Sequence, residues 1–248
     1  MLDKILVPLD GSVLADAILT HIVALTRING AQATLLHVLE TNTKLAQSGR
    51  TQVDPVEWRL RKIEAQSYLQ EIGQRLERFD LATEQVVLEG RSAADRIVEY
   101  AQKEEFDLVA LSTHGQGGLS GWNVSSVPNK VISRIRRSTL LIPAHRTVNN
   151  FRSHGELESI QYRRILVPLD GSRRAECILP LAEALARRHE AELILIHVVT
   201  PPEMIRRMPL NAEEQALAEK LVARNHAEAT AYFDQLRTRL TWLRQPMC

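Results

Sequence analysis

The chain has 248 residues, with 31 Lys and Arg against 30 Asp and Glu, and 44% of its residues are hydrophobic. That length admits one large domain or two smaller ones, and a quarter of charged residues beside so much apolar sequence excludes wholesale disorder. The charges also balance locally, with 17 of each sign in residues 1–150, so neither half is built to hold nucleic acid or an anionic membrane surface.

In chain order, short β-branched and leucine-rich runs at Lys4–Leu9, Thr34–Val38, Gln85–Leu88, Leu108–Ser112 and Thr139–Ile142 predict strands buried on both faces. Segments with helical apolar spacing separate them, at about 13–28, 55–79, 92–103 and 126–137. Strands joined by helix-length crossovers imply an open parallel five-stranded sheet with helices on both faces, an α/β fold of the Rossmann-like kind.

The first strand then recurs. Ile5-Leu6-Val7-Pro8-Leu9-Asp10-Gly11-Ser12 is repeated letter for letter at Ile165–Ser172, and at an offset of 160 the two segments agree at 18 of 34 positions through Val38 and Val198. This is an internal duplication. The complete copy spans 1–146 and a polar linker covers 147–161. The second copy, 162–248, is expected to hold only two strands, near 164–169 and 192–199, and two helices, near 173–188 and 211–243. A two-strand fragment cannot bury its own faces, so it is expected to pack on the first copy or on another subunit.

Two cysteines, Cys177 and Cys248, make no disulfide framework or metal spacing, so no structural metal is expected. No apolar run nears the roughly 20 residues of a membrane span, and the first residues show no basic-then-apolar leader; a cytoplasmic protein is the expectation.

Ligands of open parallel sheets bind beyond the carboxyl ends of the strands, where the strand order reverses. Two segments should meet there. Pro8-Leu9-Asp10-Gly11-Ser12 places an acid after the first strand, able to accept from a ribose hydroxyl or a base amine, or else to cap the next helix together with Ser12. Ser112 through Val127 is rich in glycine and serine and leads into a helix, a composition suited to cradling a phosphate or to a plain surface loop with a serine cap. It lacks the Gly-Lys-Ser/Thr of a Walker A loop, and hence the lysine that serves a γ-phosphate.

These two segments at this separation resemble the universal stress protein family. In its nucleotide-binding members the phosphate loop reads Gly-x2-Gly-x9-Gly-Ser/Thr; here the register is Ser112-x2-Gly115-x9-Ser125-Ser126, with the spacing kept and two motif glycines replaced by serine. The resemblance implies ATP or AMP, with or without Mg²⁺, as a regulatory ligand of a stress-response module. Position by position, Asp10 would hold the adenine and ribose. Pro8, Leu9 and Val38 would line the base pocket. Leu111, Ser112 and Gly115 would flank ribose and phosphate, and Ser125, Ser126 and Val127 would meet the phosphates at the helix start. Catalysis beyond slow ATP hydrolysis is not expected, since no lysine, base or carboxylate pair serves phosphoryl transfer. A nucleotide-free interaction protein of the same fold is the alternative, favoured by the serines at 112 and 125. The resemblance further implies a homodimer formed through the last strand of the first copy, together with an unidentified protein partner.

Overall fold

The computed structural model describes residues 2–12, 18–41, 54–113, 126–143, 160–199 and 212–240. The chain divides into two compact units, Met1–Gln161 and Tyr162–Cys248.

Unit one follows the expected alternation: β1 (Lys4–Pro8), α1 (Leu19–Asn29), β2 (Gln32–Glu40), α2 (Pro55–Glu77), β3 (Thr83–Gly90), α3 (Ala93–Lys103), β4 (Leu108–Ser112), α4 (Val127–Ile132) and β5 (Ser138–Ile142). The five strands pair in parallel in the order β3-β2-β1-β4-β5. Because successive residues of a strand face opposite ways, β1 supplies both halves of the core. Leu6 joins Leu36, Val109 and Leu111 under Ala94, Ile97 and Ala101 of α3 and Val131 of α4. Ile5 and Val7 are equally buried on the other face. On the helix α2, Ala65, Leu69, Ile72 and Leu76 form the buried stripe.

The N-terminal edge of the sheet is clamped by one side chain. Asp107 Oδ2 accepts the N–H groups of Asp3 (2.9 Å) and Lys4 (3.0 Å), while its own N–H donates to the Lys4 carbonyl (3.0 Å). Those bonds hold its carboxyl below the usual range, the Asp3 N–H contributing most.

Two helix boundaries differ from the sequence reading. The fourth helix, expected to run to 137, stops at Ile132, where the Ser133 hydroxyl donates back to the Lys130 carbonyl (3.1 Å) and the chain turns. Arg134 therefore lies beyond the helix and pairs with Asp95 in the first turn of α3.

Unit two contains β6 (Arg164–Pro168), α5 (Arg173–Glu176), α6 (Leu179–His189), β7 (Glu192–Ile196) and α7 (Ala212–Arg239). The single helix expected over 173–188 is split, because Pro180 has no N–H to continue the ladder and instead opens α6. β6 and β7 pair in parallel as a two-stranded sheet. Val167, Leu169, Leu179, Ala182 and Leu236 make its small core. Among the described residues no helix is long and apolar enough to cross a membrane.

Candidate functional site

The strand order β3-β2-β1-β4-β5 changes direction between β1 and β4, so the chain leaves those two neighbouring strands in opposite directions and opens a crevice beyond their carboxyl ends. Ile5 is level with Leu108 and Leu6 with Val109, which brings Pro8 to Asp10 and Leu111 to Thr113 to the mouth of that crevice.

On the β1 side, the Leu9 N–H donates to the Leu36 carbonyl (2.8 Å), extending the pairing one residue past the strand. Gly11 then takes φ 80°, a left-handed conformation open to glycine at little cost, and the chain turns back. Asp10 Oδ1 accepts both the N–H (3.0 Å) and the hydroxyl (2.6 Å) of Ser12. Asp10 is half-buried and its carboxylate is fixed at the crevice by that turn.

On the β4 side, Leu111 and Ser112 are buried at the end of the strand, and the Thr113 N–H donates to the Ile142 carbonyl of β5 (2.9 Å). Ser126 occupies the N-cap position of α4 with an extended backbone (φ −64°, ψ 151°) but caps nothing with its side chain. Its hydroxyl is buried and, among the described residues, has no hydrogen-bond partner. A buried hydroxyl without a partner costs on the order of 1–3 kcal/mol, so this group is suited to a polar ligand atom. Pro128 follows in the first turn and withholds one N–H from the helix start. Gly115 and Ser125 lie outside the described residues.

The walls are apolar. Val38, half-buried at the end of β2, and Val127 pack against the core cluster that holds Leu6 and Leu36. Pro8 is half-buried, whereas Leu9 and Leu111 are buried in the core and have only backbone groups to give a ligand. His37, next to Val38, sets its ring edge-on to Tyr68 with centroids 6.4 Å apart. Burial holds the imidazole below its usual pKa of 6.5, with the Leu9 carbonyl and the Asp10 carboxylate pulling the other way. Among the described residues no three His, Cys, Asp or Glu side chains gather as a metal site.

The second copy repeats half of this arrangement. Asp170 Oδ1 accepts the Ser172 N–H (2.9 Å), Gly171 has φ 82°, and the Ser172 hydroxyl accepts from the Ala175 N–H (3.1 Å), capping α5. Hydrogen bonds from Ser172 keep the Asp170 carboxyl below its ordinary range. His197 Nδ1 lies 2.8 Å from the Leu169 carbonyl, and its ring meets Phe233 at 6.4 Å. In the first copy the histidine meets Tyr68, and in the second its counterpart meets Phe233.

A parallel sheet of this strand order, with an acid after β1 and a serine-headed helix after β4, defines an α/β module of the Rossmann-like kind. A profile of the Universal stress protein family matches residues 1–143 and 161–242, and the chain belongs to that family. It is 25% identical to a universal stress protein of Methanocaldococcus jannaschii over 139 residues, which are 56% of this chain and 81% of that one. Among solved structures, a universal stress protein from Archaeoglobus fulgidus superposes with a TM-score of 0.60 at 20% identity, covering 90% of this chain and 73% of its own. A Pseudomonas aeruginosa protein assigned to the family superposes with a TM-score of 0.61 at 13% identity, covering 96% and 70%. At those identities the structural likeness establishes the fold alone.

Proposed function

We propose that the chain is a stress-response module whose first copy binds ATP or AMP as a regulatory ligand in the crevice between β1 and β4. The supporting observation is the buried, unpartnered Ser126 hydroxyl at the start of α4, in the same crevice as the Asp10 carboxylate. A nucleotide offers phosphate oxygens to the hydroxyl and ribose hydroxyls to the acid, whose Oδ1 already accepts from Ser12. Ser112, Gly115, Ser125 and Val127 would add backbone donors around the phosphates, while Pro8, Leu9, Leu111 and Val38 would bound the sugar and base. Calorimetry with ATP·Mg²⁺ on the pure protein tests this, with Asp10→Ala as control. Saturable heat that the substitution abolishes supports the reading, and no heat with no copurifying nucleotide refutes it.

One observation favours a second reading. The Asp-Gly-Ser turn forms equally in the second copy, where Asp170 and Ser172 serve the start of a helix. On that reading the turn is structural in both copies and the protein is a nucleotide-free interaction module. The double substitution Ser112→Gly and Ser125→Gly then creates nucleotide binding that the parent lacks. For assembly, we propose a homodimer through the outer edge of β5, whose Leu141 is exposed. A monodisperse monomer in light scattering would contradict it.

A further inference from the structure

The Asp-Gly-Ser turn after β1 reverses the chain and also fixes a carboxylate. The bond from the Leu9 N–H to the Leu36 carbonyl anchors the backbone on β2, and Gly11 at φ 80° swings it back. Asp10 Oδ1 then takes two donors from a single residue, the Ser12 N–H at 3.0 Å and the Ser12 hydroxyl at 2.6 Å. The second distance falls in the short range of charge-assisted O–H···O⁻ bonds, which are stronger than neutral ones. Two donors on one oxygen set both the tilt and the rotation of the carboxylate, and with them the direction of Oδ2.

The second copy shows what the hydroxyl adds. Its backbone is the same: Leu169 donates to the Ile196 carbonyl, Gly171 has φ 82°, and the Ser172 N–H reaches Asp170 Oδ1 at 2.9 Å. The Ser172 hydroxyl accepts from the Ala175 N–H (3.1 Å). It also bonds to the acid, and that bond is the largest cause of the lowered Asp170 carboxyl pKa. A hydroxyl has one proton and two lone pairs, so serine can take a helix amide on one side and give its proton to the acid on the other. The N–H at position 12 would serve under any side chain but proline; the second donor needs a hydroxyl.

We infer that Ser12 is a positioning residue: by fixing the Asp10 carboxylate it sets the preference of the crevice for ribose over deoxyribose. The inference rests on the proposed nucleotide site, in which Asp10 accepts from the ribose hydroxyls. A carboxylate already held in place binds a sugar hydroxyl without losing further rotational freedom, so that hydroxyl counts fully toward affinity. Without the Ser12 hydroxyl one donor remains, the carboxylate turns more freely, and part of what the sugar hydroxyl contributes goes to ordering the acid.

The test is calorimetry on the full chain with ATP·Mg²⁺ and its 2′-deoxy and 3′-deoxy analogues. The parent should bind ATP about tenfold or more tighter than at least one analogue. Ser12→Ala should weaken ATP about three- to tenfold and narrow that ratio to below about threefold. Ser12→Thr, which keeps the hydroxyl, should restore both, and Ser172→Ala should change neither. A serine that only supports the fold would weaken ATP and its analogues alike and leave the ratio intact. If urea unfolding shows that S12A does not fold, Ser12→Cys, close in size and a weaker donor, carries the same test through the same ratio. A parent that binds ATP without sugar preference, or an unchanged ratio in the variant, overturns the inference and leaves the nucleotide site standing. No binding of any of the three ligands by the parent removes the site, and the inference with it.

Discussion

One octapeptide, Ile-Leu-Val-Pro-Leu-Asp-Gly-Ser, exists in this protein in two physical states. In the first copy it is the central strand of a five-stranded sheet, with Ile5, Leu6 and Val7 withdrawn from solvent. In the second it is an edge strand with Leu166 largely in solvent. The turn that follows is unchanged, with the same left-handed glycine and the same aspartate-to-serine bond. Local geometry is thus carried by eight residues and survives the loss of neighbours, while burial is carried entirely by the neighbours. A second contrast lies at the end of the following helix: Gly30 closes α1 at φ 66°, whereas Glu190 closes α6 at φ 51°. A side chain in that conformation costs about 1 kcal/mol relative to glycine, one of several reasons to expect the second unit to be the less stable.

The largest expected difference between the copies is in packing. Leu6→Ala should cost about 2–5 kcal/mol in urea unfolding of the first unit, because it opens a cavity between the sheet and α3. Leu166→Ala should cost less than about 1 kcal/mol. Equal losses would mean that Leu166 is covered in solution. Next is the acid: Asp10→Ala should weaken nucleotide binding by about 10- to 100-fold, the loss of a hydrogen bond to a charged group, while Asp170→Ala leaves it unchanged. Equal effects at both positions would dissolve the distinction between a complete and a half site.

The smallest effect is pH dependence at His37. Burial lowers its pKa in the folded protein below 6.5, so the unfolded chain takes up the proton first. Its contribution is therefore fully present above about pH 6.5 and is lost as pH falls from there through the folded pKa. Replacement by Asn should flatten the acid limb of a stability profile between pH 7 and 5, by about 1 kcal/mol or less. An unchanged limb would show that His37 is solvated in solution.

Much of this was legible in the letters. The continuous apolar runs predicted the parallel strands because a strand covered on both faces cannot alternate, and the repeat revealed two copies because 18 identities in 34 aligned positions need no structure to be seen. Asp10, Ser112 and Ser126 were singled out by the motif spacing and the resemblance it carries, and the structure places them after β1, at the end of β4 and at the start of α4. Other features were not legible, because each depends on how the folded backbone brings particular groups together. The end of α4 at Ile132 follows from a hydroxyl turning back on Lys130, and the pairing of Arg134 follows from where α3 places Asp95. The unsatisfied Ser126 hydroxyl appears only when a cap that the sequence permits is left unmade. Pattern and duplication are one-dimensional properties, set by which side chains can share a strand or a turn. Exposure, pairing and an unanswered hydroxyl are sums over neighbours, and only the folded chain chooses those.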